Sequence, residues 1–449
     1  MAAKIIDAVT AVLVCEGEIF LTRRQVHLTA FPGFHAFAGG KVDKGESELA
    51  HAHPLLRDHA PRLVRALARE LHEELGLDLD AALADGNAWR FEELGVVLTP
   101  PLAPVRFNTY FFRIDLHRRP AFSLEQEEIE SGEWATPAVL LESYERGELL
   151  VAPPTLAVLR ALSEQPDTRH IERFRGFSDT DIPQFEAVCG VRHFFVRSNT
   201  LPPADRTNCF LLGDADAHRI LVDPSPNSDE ELQQLCAQAG AIGFDEVFLT
   251  HHHPDHHQYA DTIARRFGVP IGMSADTRTR IVAKLPRFLD GLSVKTWTDG
   301  DVVTRWLGQP LRVLAVPGHD EGQLALMPDS RAFCIVGDLI QGVGTVVIAA
   351  PEGDMRKYFA TLEKVIALNP RVIYPSHGTA LGGVFYLEQT LKHRRAREAQ
   401  IKALNEGGRS IEEMLAELYQ GIDPRLLPLA RMNIDSHLAK LRTEAATAD

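Results

Sequence analysis

The chain has 449 residues, of which 45% are hydrophobic and 24% charged, with a formal net charge of −15. That length exceeds what one core serves and implies two or three domains. The acidic balance argues against binding nucleic acid or anionic lipid by bulk charge, and no apolar run reaches the ~18 residues of a membrane span. Residues 1–7 lack a signal-peptide layout. Cys15, Cys189, Cys209, Cys236 and Cys334 are scattered without a C-x-x-C, which favours free thiols in a reducing cytoplasm. In chain order, residues 8–15 and 19–22 alternate as two strands joined by a hairpin at Glu16-Gly17-Glu18. Strands are expected at 93–98 and 106–115, and helices at 137–144 and 155–163. The polar stretch 164–170 contains a proline and reads as the start of a linker. Residues 185–385 alternate short apolar strands with helical segments. From about 388 the pattern is helical, with a basic stretch at 391–398, a capping box at Ser410-Ile411-Glu412-Glu413 and a last helix over 433–441.

The densest chemistry lies in Thr250-His251-His252-His253-Pro254-Asp255-His256-His257, behind the apolar strand 245–250. Imidazoles and a carboxylate are the ligands of zinc or a similar divalent metal. The spacing His-x-His-x-Asp-His offers four ligands from one turn, which does not complete a two-metal site. Three later strands each end in a further candidate: Pro317-Gly318-His319, Gly337-Asp338 and Pro375-Ser376-His377. This ordered set resembles the metallo-β-lactamase superfamily. The resemblance implies an αββα sandwich over 185–385, with one metal on His251, His253 and His319. A second metal would sit on Asp255, His256 and His377, with Asp338 bridging and Asp255 also catalytic. It further implies two zinc or other transition-metal ions that activate a shared hydroxide. Asp223, at the end of strand 220–223, reads as structural or as a partner of a ligand, and His252 and His257 as solvent-facing or supporting residues.

A second carboxylate-rich motif lies upstream. Gly40-Lys41-Val42-Asp43-Lys44-Gly45-Glu46 is followed by Arg69-Glu70-Leu71-His72-Glu73-Glu74-Leu75-Gly76-Leu77, a helix end with Gly76 as its cap. Glu70, Glu73 and Glu74 share one face and repel unless a hard cation such as magnesium or manganese neutralises them. The pieces resemble the Nudix box, G-x5-E-x7-R-E-U-x-E-E-x-G-U. Residues 47–68 are longer than its seven-residue gap, and the extra residues, which include His51, His53 and His59, read as a mobile surface loop. Thr99-Pro100, Arg106-Phe107-Asn108-Thr109, Trp134 and Ala152-Pro153-Pro154-Thr155 resemble the long-insertion branch with coenzyme A diphosphatases. That resemblance implies an α/β/α sandwich over 1–165 that hydrolyses a nucleoside diphosphate linked to another moiety. Glu70, Glu73 and Glu74 would hold the metal, and Glu73 and Arg69 would be catalytic. A linker over 166–184 joins the first domain to 185–385, and the helices of 386–449 resemble the small winged-helix tail of an endoribonuclease-like metallo-β-lactamase branch.

The expectation is therefore an α/β multidomain, bifunctional, metal-dependent hydrolase in the cytoplasm. Its first head would act on a small nucleotide or coenzyme-A-like molecule. Its second would cleave single-stranded RNA or, as the alternative, act as a glyoxalase II-like thioesterase on acyl-CoA or glutathione thioesters. In that alternative the Nudix domain is a binding or regulatory module. No membrane partner is expected.

Overall fold

The computed structural model describes residues 4–99, 105–171 and 181–448. Pro100 and part of the expected linker, residues 172–180, lie outside the described residues. The chain divides into two compact units, Met1–Cys189 and Gly190–Asp449.

The first unit is built on one mixed sheet. Its strands are β1 (Lys4–Cys15), β2 (Glu18–Arg24), β3 (His35–Ala36), β4 (Gly39–Lys41), β5 (Ala88–Leu98), β6 (Val105–Leu116) and β7 (Ile129–Ala135). They run in the order β3-β2-β1-β6-β5, with β4 on β1 and β7 on β2. Alternation along β1 divides the core, because successive side chains point to opposite faces. Val9, Ala11, Leu13 and Cys15 pack under α1 (Pro61–Leu75) and α2 (Leu79–Ala84). Val12 and Val14 pack against α3 (Pro137–Glu145) and α4 (Pro153–Glu164). Helices thus cover both faces of the sheet. Helix α1 ends on Gly76 with φ 69°, a left-handed cap that favours glycine.

Two segments differ from their sequence reading. The extra residues before α1 are not a free loop: Leu56, in a 3-10 turn (Pro54–Leu56), is buried, and His59 lies edge-on to Phe91 and Phe112. The start of the expected linker is held to the sheet. Arg113 donates to the carbonyls of Pro166 and Thr168, and Ile171 N–H donates to Leu94. Buried arginines supply donors there that polarity and a proline do not reveal.

After a short strand β8 (Gln184–Phe185), the second unit stacks two sheets. The first contains β9 (Arg192–Arg197), β10 (Arg206–Leu212), β11 (Ile220–Val222), β12 (Glu246–Phe248), β13 (Ile271–Met273) and β14 (Val294–Thr296), in reverse spatial order from β14 to β9. Helices α5 (Asp229–Ile242), α6 (Pro254–His257), α7 (Ala260–Phe267) and α8 (Ala275–Lys284) connect its strands. The other runs β15 (Val302–Trp306), β16 (Gln309–Ala315), β17 (Leu324–Pro328), β18 (Cys334–Ile335), β19 (Val372–Tyr374), β20 (Leu381–Gly382). Phe210 of one sheet meets Tyr374 of the other edge-on. Helices α9 (Met355–Leu368) and α10 (Phe385–Glu406) cover the outer face of the second sheet through Tyr358, Leu362, Leu387 and Leu391. The result is a mixed α/β unit of two sheets with helices packed on them, the arrangement that the resemblance implies.

The C-terminal region corrects the winged-helix expectation. It continues from α10 into α11 (Ile411–Leu418), a 3-10 turn (Pro424–Leu426) and α12 (Leu427–Ala448). Among the described residues after Gly382 there is no strand, so the hairpin that would form a wing is absent. Residues 427–448 include five Ala and four Leu, strong helix formers, and run as one helix. Ser410 and Glu413 do form the expected capping box. No helix of the described residues is long and apolar enough to cross a membrane.

One titration follows from the first core. Burial pushes His35 down to about 4, although its Nδ1–H bonds Leu150 O at 3.3 Å. The unfolded chain takes up this proton near 6.5, so stability is complete above that pH and falls as the pH drops toward 4, by up to about 3 kcal/mol. Urea unfolding at pH 7.5, 6 and 4.5 should show that slope for the first unit, and His35→Gln should flatten it.

Candidate metal centre

Each expected ligand of the second unit sits just beyond a strand end. Strand β12 feeds Thr250 to His253, and Pro254 opens the one-turn helix α6 that carries Asp255 and His256. The segments after β16, β18 and β19 deliver His319, Asp338 and His377. Gly318 has φ 135°, and a Cβ there would lie 2.3 Å from the Tyr358 backbone, so the turn into His319 requires glycine.

The fold brings all seven residues together in two adjoining groups. His253 Nδ1 lies 2.9 Å from both His251 Nε2 and His319 Nε2. His377 Nε2 lies 3.6 Å from Asp255 Oδ2, and His256 Nε2 3.9 Å from Asp255 Oδ1. Asp338 stands between the groups. Its Oδ2 is 3.6 Å from His319 Nε2, and its Oδ1 is 3.4 Å from His377 Nε2 and 3.7 Å from His256 Nε2.

The outward nitrogens decide the protonation. His319 Nδ1–H donates to Val347 O at 2.9 Å and His377 Nδ1–H to Arg206 O at 2.7 Å. His256 Nδ1–H donates to Asp223 Oδ2 at 2.8 Å. Thr250 gives its hydroxyl proton to the same carboxylate at 2.6 Å, so its oxygen is free to accept from His251 Nδ1 at 3.1 Å. His253 Nε2 meets Glu352 Oε2 at 3.1 Å. The five inward nitrogens therefore present lone pairs to one another, an arrangement that a cation relieves. His256 Nε2 and Asp338 Oδ1 are buried without any hydrogen-bond partner.

Electrostatics agree with a cation cradle. Burial holds His251 well below its ordinary range and His319 at about 4, so both are neutral near pH 7, the ligating form. Burial opposes charge on His256 and His377, yet Asp338 and, for His256, also Asp255 and Asp223 raise them, so this half of the pocket attracts positive charge. The donor set of imidazoles and carboxylates fits zinc or a similar ion.

Sequence reasoning missed part of the surroundings. His252 is buried, not solvent-facing: its Nδ1 lies 2.6 Å from Asp320 Oδ2 and its Nε2 3.1 Å from Glu352 Oε1. His257 is also buried, edge-on to Phe288. Glu352, bound in addition by Lys284 at 3.1 Å, sits in an irregular loop and carries no motif. Asp223, read as a supporting residue, accepts from Thr250 N–H, Thr250 Oγ1 and His256 Nδ1.

In the first unit the glutamates are arranged differently. Arg69 forms a hub: Nε to Glu46 at 3.1 Å, Nη1 to Glu70 at 2.8 Å and Glu73 at 2.9 Å, and Nη2 to Lys41 O at 2.8 Å. Glu74 turns away, is 5% exposed, and accepts from Gly39 N–H at 2.9 Å. Burial pushes Glu74 up to about 8 and also raises Glu70. The three carboxylates expected to share one ion do not converge. Among the described residues, the groups of three or more His, Cys, Asp or Glu able to hold a metal all lie in the second unit. Gly40 lies close against the Glu70 carboxylate, where an added Cβ would be 2.4 Å from its oxygen.

Residues 202–377 match the Metallo-beta-lactamase superfamily. A beta-lactamase-like protein 2 homolog of Drosophila melanogaster is 29% identical over 53% of this chain and 82% of its own length. A hydroxyacylglutathione hydrolase of Fuscovulum blasticum is 29% identical over 49% of this chain and 78% of its own. The crystal structure of a NUDIX hydrolase from Alicyclobacillus acidocaldarius aligns at 27% identity over 37% of this chain and 94% of its own, with a TM-score of 0.32. The chain carries a metallo-β-lactamase domain in its C-terminal part and is a hydrolase.

Asp223→Ala should leave Thr250 and His256 without their shared acceptor. Removing such a partner typically weakens metal affinity by about 10–100-fold. Zinc competition against a chromophoric chelator checks this, and wild-type affinity in a folded variant would refute the role.

Proposed function

We propose that the second unit hydrolyses thioesters of a small carrier thiol of the glutathione or coenzyme A kind, using two ions held by His251, His253 and His319 and by Asp255, His256 and His377, with Asp338 shared. The observation that carries the choice of substrate over RNA is the use of the basic helix. Phosphodiester binding draws on free cations. Along α10, Arg394 is buried and bonded to Val346 O and Asn433, Arg395 pairs with Glu363, and Arg397 bonds Leu418 O while lying over Tyr419. These arginines hold the C-terminal helices in place. The hydroxyacylglutathione hydrolase among the relatives points to the same substrate class.

Bound ions would supply Lewis acidity to the carbonyl and lower the pKa of the attacking water. The chain's own contribution is orientation. The outward hydrogen bonds fix each ring. Asp338 faces both groups with separate oxygens. Asp255, 17% exposed, is the more accessible carboxylate of the set and is suited to steer a proton. Thr200 Oγ1, 3.4 Å from His377 Nε2, offers a further polar contact at that edge. Asp255→Ala should lower zinc-dependent hydrolysis of acyl-glutathione or acyl-CoA at least about 100-fold, as expected of a metal ligand that also serves the reaction. Single-stranded RNA should remain intact with either protein. Asp255-dependent RNA cleavage without thioesterase activity would replace this reading by the nuclease one.

We further propose that the first unit is a Nudix-type head for coenzyme-A-like diphosphates. Its support is the Arg69 hub, which joins Glu46, Glu70 and Glu73 beside the close approach of Gly40. Carboxylate oxygens fit magnesium or manganese, and ion binding would draw Glu70 and Glu73 off Arg69. Glu73, 56% exposed, is the carboxylate most open to substrate. Wild-type protein should hydrolyse a coenzyme-A-type diphosphate with magnesium, and Glu73→Gln should lower the rate about 100-fold or more. Wild-type protein that binds but does not cleave would leave the unit a binding module.

A further inference from the structure

Residues 341–354, between the 3-10 turn at Gly337–Leu339 and α9, touch the metal centre at three points. Gly342 N–H donates to His377 O at 2.8 Å, Val347 O accepts from His319 Nδ1 at 2.9 Å, and Glu352 meets His253 Nε2 at 3.1 Å. The same loop is gripped from behind by the C-terminal helices. Arg394 of α10 donates to Val346 O. Asn433 of α12 accepts through Oδ1 from Ile348 N–H at 3.2 Å and from Arg394 at 3.1 Å. Ser436 of α12 donates to Ile348 O at 2.6 Å. All three side chains are buried, with exposures of 5%, 8% and 6%.

The grip falls on both residues that flank Val347. The carbonyls of Val346 and Ile348 are held from the helix side, while the carbonyl between them is committed to His319. The Val347 peptide can therefore rotate only if buried hydrogen bonds at 346 and 348 break, which leaves their partners unsatisfied.

We propose that Arg394, Asn433 and Ser436 are positioning residues of the metal centre, which act through the Val347 carbonyl to fix His319 as a ligand of the His251–His253–His319 ion. This rests on the two-ion reading of the site, not on the choice of substrate. The C-terminal helices then serve the centre from within the fold.

The test is metal binding by the full-length chain, read by zinc competition with a chromophoric chelator and by visible spectra after cobalt substitution. Wild-type protein should bind two ions, with His319→Ala and Asp255→Ala marking which step belongs to which group. Asn433→Ala should weaken the step marked by His319→Ala about tenfold, at the low end of the range for such supporting contacts, and leave the other step unchanged. Asn433→Asp, which keeps both acceptor contacts, should restore binding. Ser436→Ala should produce the same selective loss on a milder scale and covers the case in which Asn433→Ala fails to fold. Met414→Ala, which loosens the packing of α11 on α12 away from the loop, should lower Tm without changing either step. Unchanged binding in folded Asn433→Ala and Ser436→Ala, or equal loss in Met414→Ala, would overturn the proposal. A wild-type chain that binds fewer than two ions would instead overturn the two-ion reading.

Discussion

The second unit is organised around a proton constraint. Five imidazoles point nitrogens at a common space, and each has its remaining proton committed outward, to Thr250, Asp223, Val347, Arg206 or, for His253, the side of Glu352. Lone pairs 2.9 Å apart repel, so the arrangement is costly without positive charge. The surrounding fold opposes that cost. Short strands end at one edge of the sandwich, Gly318 lets the turn reach His319, and Asp223 ties the end of β11 to both Thr250 and His256.

The first unit uses a different balance. Three of its carboxylates, on Glu46, Glu70 and Glu73, share one guanidinium, while the more buried Glu74 stands apart from it and is pushed toward its neutral form. Oxygen ligands around a small hard cation and imidazoles around a borderline one follow the ordinary preferences of metals. The contrast also explains why one motif converges on an ion site in the structure and the other shows an arginine hub. Histidine nitrogens held by outside hydrogen bonds cannot turn away, whereas the flexible side chains of Glu46, Glu70 and Glu73 reach the nearest cation, Arg69.

Much of the candidate site was legible because its pattern is local. An apolar run that ends in a ligand candidate is visible in sequence, directly after Thr250 at His251 and through a glycine or proline at His319, Asp338 and His377. The αββα arrangement was implied by the resemblance that this ordered ligand set carries; the alternation itself gave only strands and helices. Reading failed where the partner was distant or carried no pattern. The solvent-facing alternative for His252 and His257 is excluded by their burial, which leaves the supporting one. Leu56 and His59 sit in what looked like a mobile insertion, yet Leu56 is buried in the first core and His59 packs on Phe91 and Phe112. The basic stretch of α10 did not show in sequence what its arginines would bond, and in the structure they meet carbonyls, a carboxylate and an aromatic ring. The wing was inferred from helices alone, and helices alone are what the region contains.

The sequence by itself determined the candidate ligands, their order, and the strand ends that deliver them, since hydrophobic periodicity and residue chemistry are properties of short segments. Only the tertiary structure decided how those ligands are held. The partners that fix them include the backbone carbonyls of Arg206 and Val347, a glutamate in an irregular loop, and helix side chains from residues 394 to 436. A backbone carbonyl is the same in every residue, so nothing in the sequence marks the one that will meet a histidine. Its direction is set by contacts that exist only once the chain has folded.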